Sequence, residues 1–195
     1  MATKGEMTRE KILDEATQVF HRKGFLTTTI NDLLDATGMT KGNLYFHFAG
    51  KEDIGLEVLN KARGSFRQFL EDALQGETPG ARLDNFFCIA LERNRSKNFV
   101  GGCLFGNTAL EACDNAPMFA ELVSEVFAEW IGKLQETIAA AQARGQVRRD
   151  LPASQLAELV VATIEGGIMQ SRLKKEEGPL QRAFESLRVL LELKR

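Results

Sequence analysis

The stretch from Thr29 to Phe48, which reads TINDLLDATGMTKGNLYFHF, carries the strongest structural signals in the first part of this chain. Thr29 and Asp32 have the spacing of a capping box, in which a hydroxyl and a carboxylate satisfy free amides at the start of a helix. Gly38 then supplies the positive φ that a tight turn requires, and Thr40 is suited to cap a second helix. The stretch therefore predicts two short helices joined by a glycine turn.

The second of these helices has one apolar face and one polar face. Leu44 and Phe48 are four residues apart, so their shared face is expected to pack in a core. Polar side chains line or flank the opposite face: Thr40, Lys41, Asn43, Tyr45 and His47. Such hydroxyl, amide, ammonium, phenol and imidazole groups contact phosphates and base edges in a DNA major groove. The alternative interpretation is a small helical bundle with an ordinary solvated face.

The rest of the 195 residues also predicts helices. Each of the four prolines, at positions 79, 117, 152 and 179, stands where an apolar periodicity restarts, which favours helix starts. We therefore predict an all-α protein of about nine helices, over 8–23, 30–36, 41–47, 51–75, 80–97, 102–113, 117–144, 153–174 and 179–193. A helix-turn-helix domain over 1–51 and a larger, aromatic-rich helical domain over 52–195 would meet in the helix over 51–75.

Composition excludes several classes of protein. The net charge is −2, so a claim of DNA binding must depend on where the cations lie rather than on their number. Three cysteines without CxxC spacing argue against a disulfide framework or a zinc site, and we expect no metal and no cofactor. The polar start of the chain and the absence of a membrane-length apolar run predict a cytoplasmic protein that contacts no membrane.

The motif from Gly38 to Phe48, followed by Lys51-Glu52-Asp53, closely resembles the TetR family of bacterial transcriptional regulators. The upstream pattern Ile12…Ala16…Phe20…Gly24-Phe25…Thr28-Thr29 is similar to the same family, so the resemblance extends over residues 8–60. It implies a three-helix DNA-binding domain, an all-helical ligand-binding domain, and a homodimer on double-stranded, pseudo-palindromic operator DNA. Met39 and Thr40 depart mildly from the family, which often has Val and Ser there.

Carried over by position, the resemblance assigns DNA contacts to Thr28, Thr29, Thr40, Lys41, Gly42, Asn43, Tyr45, His47 and Lys51. Gly42 has no side chain and would let the start of the helix approach a phosphate closely. Asn43 occupies a variable position of the family and is the candidate for reading operator sequence.

The last two predicted helices each have an apolar stripe. The two stripes are expected to form a four-helix dimer interface with a second subunit, as the family arrangement implies; the alternative is an intramolecular core. The predicted interface residues are Leu156, Leu159, Val160, Thr163, Ile164, Gly167, Phe184, Leu187 and Leu191.

The segment from Gly101 to Asn107, with Glu111, is similar to a signature in part of the family. Cys103 is either a small buried apolar residue beside a bracing Asn107 or part of an effector site, and nearby cations would favour a sensing thiol. The effector site is predicted from this segment and from aromatic density, and comprises Phe66, Phe87, Cys103, Phe105, Asn107, Glu111, Phe127 and Trp130. Such a lining predicts a small apolar or aromatic effector.

Two other classes of function compete with a repressor released by its effector. A thiol enzyme would need a histidine near Cys103, yet both histidines lie within the first 47 residues. A helical adaptor that binds only proteins is the second alternative. The motif favours a ligand-responsive regulator over both, acting as a repressor or, less commonly in the family, as an activator.

Overall fold

The computed structural model describes residues 3–195, which form nine α-helices and contain no β-strand. The helices are α1 (Lys4–Lys23), α2 (Ile30–Thr37), α3 (Lys41–His47), α4 (Lys51–Ala73), α5 (Pro79–Arg95), α6 (Leu104–Ala112), α7 (Pro117–Ala143), α8 (Ala153–Lys174) and α9 (Gly178–Leu190). The all-α prediction is confirmed. No helix in this part of the chain is long and apolar enough to cross a membrane.

Local signals in the sequence set most helix ends. The predicted capping box is present, because Asp32 N–H donates to the Thr29 hydroxyl while Thr29 N–H donates to the Asp32 carboxylate. Gly38 ends α2 in the left-handed conformation, at φ 68° and ψ 22°. Pro79 and Pro117 open α5 and α7, Pro179 is the second residue of α9, and Pro152 immediately precedes α8.

Two helix starts differ from the prediction by more than one residue. Helix α1 begins at Lys4 rather than at residue 8, because Thr3 and Glu6 form a second capping box. Helix α6 begins at Leu104 rather than at residue 102, because Gly101 and Gly102 adopt φ values of 85° and 73°. Backbone with positive φ cannot continue a right-handed helix, so the glycines delay its start.

The helices group into two compact units, each of which contains two segments of chain. The first unit comprises the described residues up to Ser65 together with Leu104–Val123, and the second comprises Phe66–Cys103 and Ser124–Arg195. The two units change at Ser65–Phe66, within α4, and the predicted division between residues 51 and 52 stays a prediction. Nothing in the sequence indicated that α6 joins the first unit.

In the first unit, the α1–α2 turn (residues 24–29) is fixed by the first residue of α4. The Lys51 ammonium donates to the carbonyl oxygens of Phe25, Leu26 and Thr28 at 3.1, 3.3 and 3.0 Å. It also lies 4.6 Å from the centre of the Phe25 ring. An ammonium has three donors and no acceptor, so three carbonyls satisfy it completely.

Two glycines allow α4 and α6 to approach this turn. A Cβ on Gly55 would lie 2.6 Å from Phe25 Cε2 and 3.0 Å from Phe119 Cζ. A Cβ on Gly24, at φ 86°, would lie 2.5 Å from the Glu111 carboxylate of α6. The α1–α2 turn is therefore packed against α4 at a contact too close for a side chain at Gly55. At Gly24 a side chain would displace the end of Glu111 and would also be strained by the positive φ.

In the second unit, α8 packs closely on α9 at Gly167. A Cβ there would lie 3.0 Å from Ala183 Cβ and 3.3 Å from Leu180 Cα. Nearby, the buried Ser171 hydroxyl accepts a hydrogen bond from the Leu180 amide at 3.0 Å, which satisfies a free donor at the start of α9. The α8–α9 pair is thus fixed by backbone proximity as well as by apolar packing.

We predict that Lys51→Met lowers the free energy of unfolding by about 1–3 kcal/mol, because it removes a donor from three carbonyls of the α1–α2 turn. Urea unfolding of the purified protein measures this. The matched control is Lys41→Met, at an exposed lysine, which is expected to change stability by less than about 0.5 kcal/mol. Equal stability of the two variants would show that the Lys51 contacts contribute nothing.

We predict that Gly167→Ala is less stable than Gly132→Ala by about 1–3 kcal/mol. Both glycines lie within helices of the second unit, so each substitution gains the same helix propensity. A Cβ on Gly132 meets nothing within 4 Å, whereas a Cβ on Gly167 meets the backbone of α9. Thermal unfolding of the two variants tests the difference, and a more stable Gly167→Ala would contradict it.

Candidate DNA-binding interface

Helix α3 presents opposite faces to the core and to solvent. Leu44 is fully buried and Phe48 is 2 % exposed, so the apolar face predicted from their spacing is core. The exposed residues of α3 and its cap are Thr40, Lys41, Gly42, Asn43, Tyr45 and Phe46, with His47 half-buried beside them. Every α3 residue that the sequence proposed for DNA contact therefore lies on the accessible side or at its edge.

Thr40 has a role in forming the helix as well as an exposed position. Its hydroxyl accepts a hydrogen bond from the Asn43 amide at 3.3 Å and so caps α3. The Lys41 ammonium lies 5.9 Å from the centre of the Tyr45 ring and makes no ion pair with the described residues. The cation and the phenol thus share one exposed surface, accessible to a phosphate.

Sequence reasoning missed Phe46. This side chain is 82 % exposed, and its ring meets that of His47 edge to face at a centroid distance of 5.1 Å. An exposed phenylalanine between two polar candidates suits apolar contact with a thymine methyl group. The sequence did contain a signal, because Phe46 lies three residues from Asn43 and away from the Leu44–Phe48 face.

Two predicted DNA contacts are engaged inside the protein instead. Thr28 is 1 % exposed, and its hydroxyl donates to the Gly24 carbonyl oxygen at 2.6 Å, so its side chain is not accessible to a phosphate. Lys51 is half-buried and donates to three carbonyls of the α1–α2 turn. Both expectations are corrected: these residues build the turn that precedes α2.

The start of α2 carries Thr29, which is exposed and caps its helix. The Lys23 ammonium contacts Asp32 at 2.5 Å, and this contact, together with hydrogen bonds from Thr29, lowers the pKa of Asp32 to about 2. The capping carboxylate is therefore ionised at neutral pH. Lys23 offsets its charge, so the acidic residue does not leave an isolated negative charge beside Thr29.

The predicted dimer stripe belongs to the core of the subunit. Seven of its nine residues are buried: Leu156, Val160, Ile164, Gly167, Phe184, Leu187 and Leu191. Thr163 is half-buried, and Leu159 alone is exposed. The alternative of an intramolecular core is correct for the buried residues, because α8 and α9 bury their strongest apolar faces within the subunit.

Different apolar residues of α8 and α9 are exposed. They are Leu159, Met169 and Leu173 on α8, with Val189 and Leu190 on α9. Leu173 and Val189 are 80 % and 76 % exposed. Helix α8 is therefore apolar on two sides. Helical periodicity alone does not tell which side is buried in the subunit and which is exposed.

The candidate effector residues are divided between the two units. Phe105, Asn107 and Glu111 belong to the first unit, and the Glu111 carboxylate lies against the α1–α2 turn, 3.5 Å from the Leu26 amide. In the second unit Phe87 is fully buried and stacks on Phe184 within the core of that unit.

The other four candidates belong to the second unit. Phe66 and Phe127 surround Trp130, with ring centroids 5.3 and 6.0 Å from it. Cys103 is half-buried and lies at the end of the segment that follows α5. The structure thus brings together three of the five aromatic residues predicted for the effector site.

Comparison with known proteins agrees with this architecture. A family described as "Bacterial regulatory proteins, tetR family" matches residues 12–58, and "Tetracyclin repressor-like, C-terminal domain" matches residues 79–187. The regulator LmrA of Bacillus subtilis (strain 168) is 30% identical over 175 residues, which cover 89% of this chain and 90% of that protein. The repressor DhaR of Mycobacterium sp. (strain GP1) is 28% identical, and the match covers 92% of this chain and 91% of DhaR.

Solved structures show the same fold over nearly the whole chain. A TetR transcriptional regulator from Chloroflexus aurantiacus J-10-FL superposes with a TM-score of 0.88 at 32% identity, covering 97% of this chain and 96% of that one. The regulatory protein TetR from Rhodobacter sphaeroides gives a TM-score of 0.88 at 25% identity, and the match covers 94% of this chain and 98% of that one. The chain therefore belongs to the TetR family of bacterial transcriptional regulators, which are DNA-binding proteins and not enzymes.

Proposed function

We propose that this protein is a cytoplasmic, ligand-responsive repressor that binds a pseudo-palindromic operator as a homodimer and leaves it when a small effector binds. The observation that carries the proposal is the division of α3 into a buried face, at Leu44 and Phe48, and an exposed face of polar and aromatic side chains. A helix with this division can enter a major groove while it stays anchored to its own domain.

Roles on the exposed face follow from the chemistry of each side chain. Lys41 and His47 position the helix on phosphates, which adds affinity without sequence preference. Asn43, Tyr45 and Phe46 reach base edges, where an amide recognises adenine and an apolar ring contacts thymine. Thr40, at the start of α3, supplies a further phosphate contact through its hydroxyl. The Thr29 hydroxyl donates to Asp32, so its predicted phosphate contact requires that hydrogen bond to be exchanged.

The exposed apolar residues of α8 and α9 support the homodimer. Leu159, Met169 and Leu173 are spaced along one side of α8. Gly166 lies on the same side, where a Cβ would have nothing within 4 Å, so a second helix could approach its backbone. A contiguous apolar surface of this kind indicates an interaction site. Two copies of α8 and α9 would bury it in a four-helix interface.

The effector acts by favouring a conformation in which α4 is displaced. Lys51 and Gly55 of α4 hold the α1–α2 turn, so this turn and the helix-turn-helix that follows it would move with α4. Displacement in both subunits changes the spacing between the two α3 helices, which must match successive major grooves. The operator is then released.

We predict that Lys41→Ala weakens binding to all DNA sequences and makes it less dependent on salt. Each lost phosphate contact lowers the slope of log K against log salt by about 0.9, so the dimer loses about 2. Fluorescence anisotropy on operator and scrambled DNA measures this, with Lys133→Ala, an exposed lysine of the second unit, as the control.

The contrasting variant is Asn43→Ala, which should change the preferred sequence in a selection from random DNA while the salt slope stays nearly constant. Wild-type protein that binds operator and scrambled DNA equally at moderate salt would overturn the proposed function in favour of a protein that binds only other proteins.

We predict that Leu173→Arg converts the dimer to a monomer, because it places two charges in an apolar interface. Sedimentation equilibrium measures the mass directly. Leu110→Arg is the matched control, since Leu110 is 85 % exposed but lies on α6 of the first unit. A Leu173→Arg protein that remains dimeric, or a Leu110→Arg protein that dissociates, would contradict this interface.

A further inference from the structure

Trp130 of α7 carries a buried hydrogen-bond donor that nothing in the described structure satisfies. The residue is 5 % exposed, and its indole Nε1 has no acceptor. The edge contact with Phe66 and the stacked contact with Phe127 surround it with carbon. Because buried donors are nearly always paired, an orphaned one at a candidate binding site indicates an acceptor that arrives from outside.

A series of ring contacts through Phe66 and Phe69 connects Trp130 to the Arg93 guanidinium. Phe66 stacks on Phe69 with centroids 5.9 Å apart, and the Arg93 guanidinium lies 4.4 Å from the centre of the Phe69 ring. Burial lowers the pKa of Arg93. Among residues 3–195, no carboxylate forms an ion pair with this guanidinium, which is unusual for a partly buried arginine.

A second cation lies close to Arg93. The pKa of Lys97 is lowered by burial and then by the charge of Arg93, and Cys103 interacts with both groups. Although much of the Lys97 side chain is exposed, its position beside a like charge is unfavourable without an anion. Arg95, only two residues from Arg93, is by contrast paired with Glu177.

The acidic residue beside this cluster does not supply the missing anion. Glu165 of α8 has one buried carboxylate oxygen without a partner, and burial raises its pKa, although a hydrogen bond with Cys103 opposes the shift. Among the described residues, no ion pair joins this carboxyl group to Arg93 or Lys97. The two cations of this cluster therefore lack a carboxylate partner among residues 3–195.

We infer that Arg93, Lys97 and Trp130 bind a small organic acid with an aromatic body, whose carboxylate pairs with the two cations. The body of the acid lies along Phe66 and Phe69, and a second oxygen on it accepts from the Trp130 indole. This inference rests on the proposed function, because it assigns a chemical class to the effector. An uncharged aromatic compound would leave both cations unpaired, and an amine would be repelled by them.

Intrinsic fluorescence reports directly on this site, since Trp130 is the only tryptophan in the chain. The full-length protein is titrated with benzoate, phenylacetate and 4-methoxyphenylacetate, and separately with the primary amide of each. We expect saturable changes in Trp130 fluorescence with the acids. The amides should bind at least about tenfold more weakly, because each amide lacks the charge that strengthens the hydrogen bonds.

Arg93→Gln should weaken acid binding by about tenfold or more, whereas the control Arg95→Gln should bind as the wild type does. Trp130→Phe should weaken the binding of 4-methoxyphenylacetate more than that of phenylacetate, since only the former carries the second acceptor. Because this variant has lost its fluorophore, calorimetry measures its binding. Amides that bind as well as acids, an Arg93→Gln protein with wild-type affinity, or the absence of binding by all three acids would each overturn the inference.

Operator binding by the same samples separates this inference from the proposed function. Arg93→Gln without any acid should bind operator as tightly as the wild type. If operator binding is specific but the acids fail, only the assignment of an acidic effector is wrong. If the wild type shows no sequence-specific binding, the proposed function itself is wrong.

Discussion

The Lys51 ammonium, with its hydrogen bonds to three carbonyl oxygens, holds the helix-turn-helix in place. Within the α1–α2 turn, the Thr28 amide donates to the Phe25 carbonyl at 3.3 Å, but one such bond cannot satisfy the other carbonyls of a half-buried turn. The Lys51 side chain, at the start of α4, supplies the missing donors. Gly24 and Gly55 then allow α6 and α4 to pack directly on the same turn, so any movement of these helices is transmitted through close contacts.

Helix α8 has apolar residues on two of its sides. Its buried side, from Leu156 to Ser171, packs within the subunit, and Gly167 lets the backbone of α9 come close. Its exposed side is also apolar, at Leu159, Met169 and Leu173. Exposed apolar area of this extent is unfavourable in water, so the same hydrophobic effect that builds the subunit supports association with a second copy.

In the second unit, Asp84 has charged partners, whereas Arg93 has none among the described residues. Asp84 is buried and paired with both Arg188 and Arg195 at 2.6 Å, which fixes α9 and the C-terminal residues on α5. Arg93, on the same helix as Asp84, stacks on Phe69 and has no carboxylate partner among the described residues. A paired charge contributes to the fold, whereas an unpaired one beside the orphaned Trp130 indole is costly unless a ligand completes it. This contrast distinguishes a structural cluster from the proposed binding site.

The all-α class, the turn at Gly38, the helix starts at the prolines and the two faces of α3 all follow from sequence alone, because caps, turns and helical periodicity are local properties that a few neighbouring residues fix. The motif that pointed to the family is likewise confined to one short stretch. The three-dimensional packing was needed to show that Thr28 and Lys51 serve the α1–α2 turn, that the stripe through Val160 and Leu187 is core, and that Glu111 of α6 lies against Gly24. Lys51, the apolar stripe and Glu111 meet partners that are distant in the chain or on separate helices, and the sequence does not specify those partners. The Thr28 hydrogen bond to Gly24 is local, but the burial of Thr28 depends on tertiary packing.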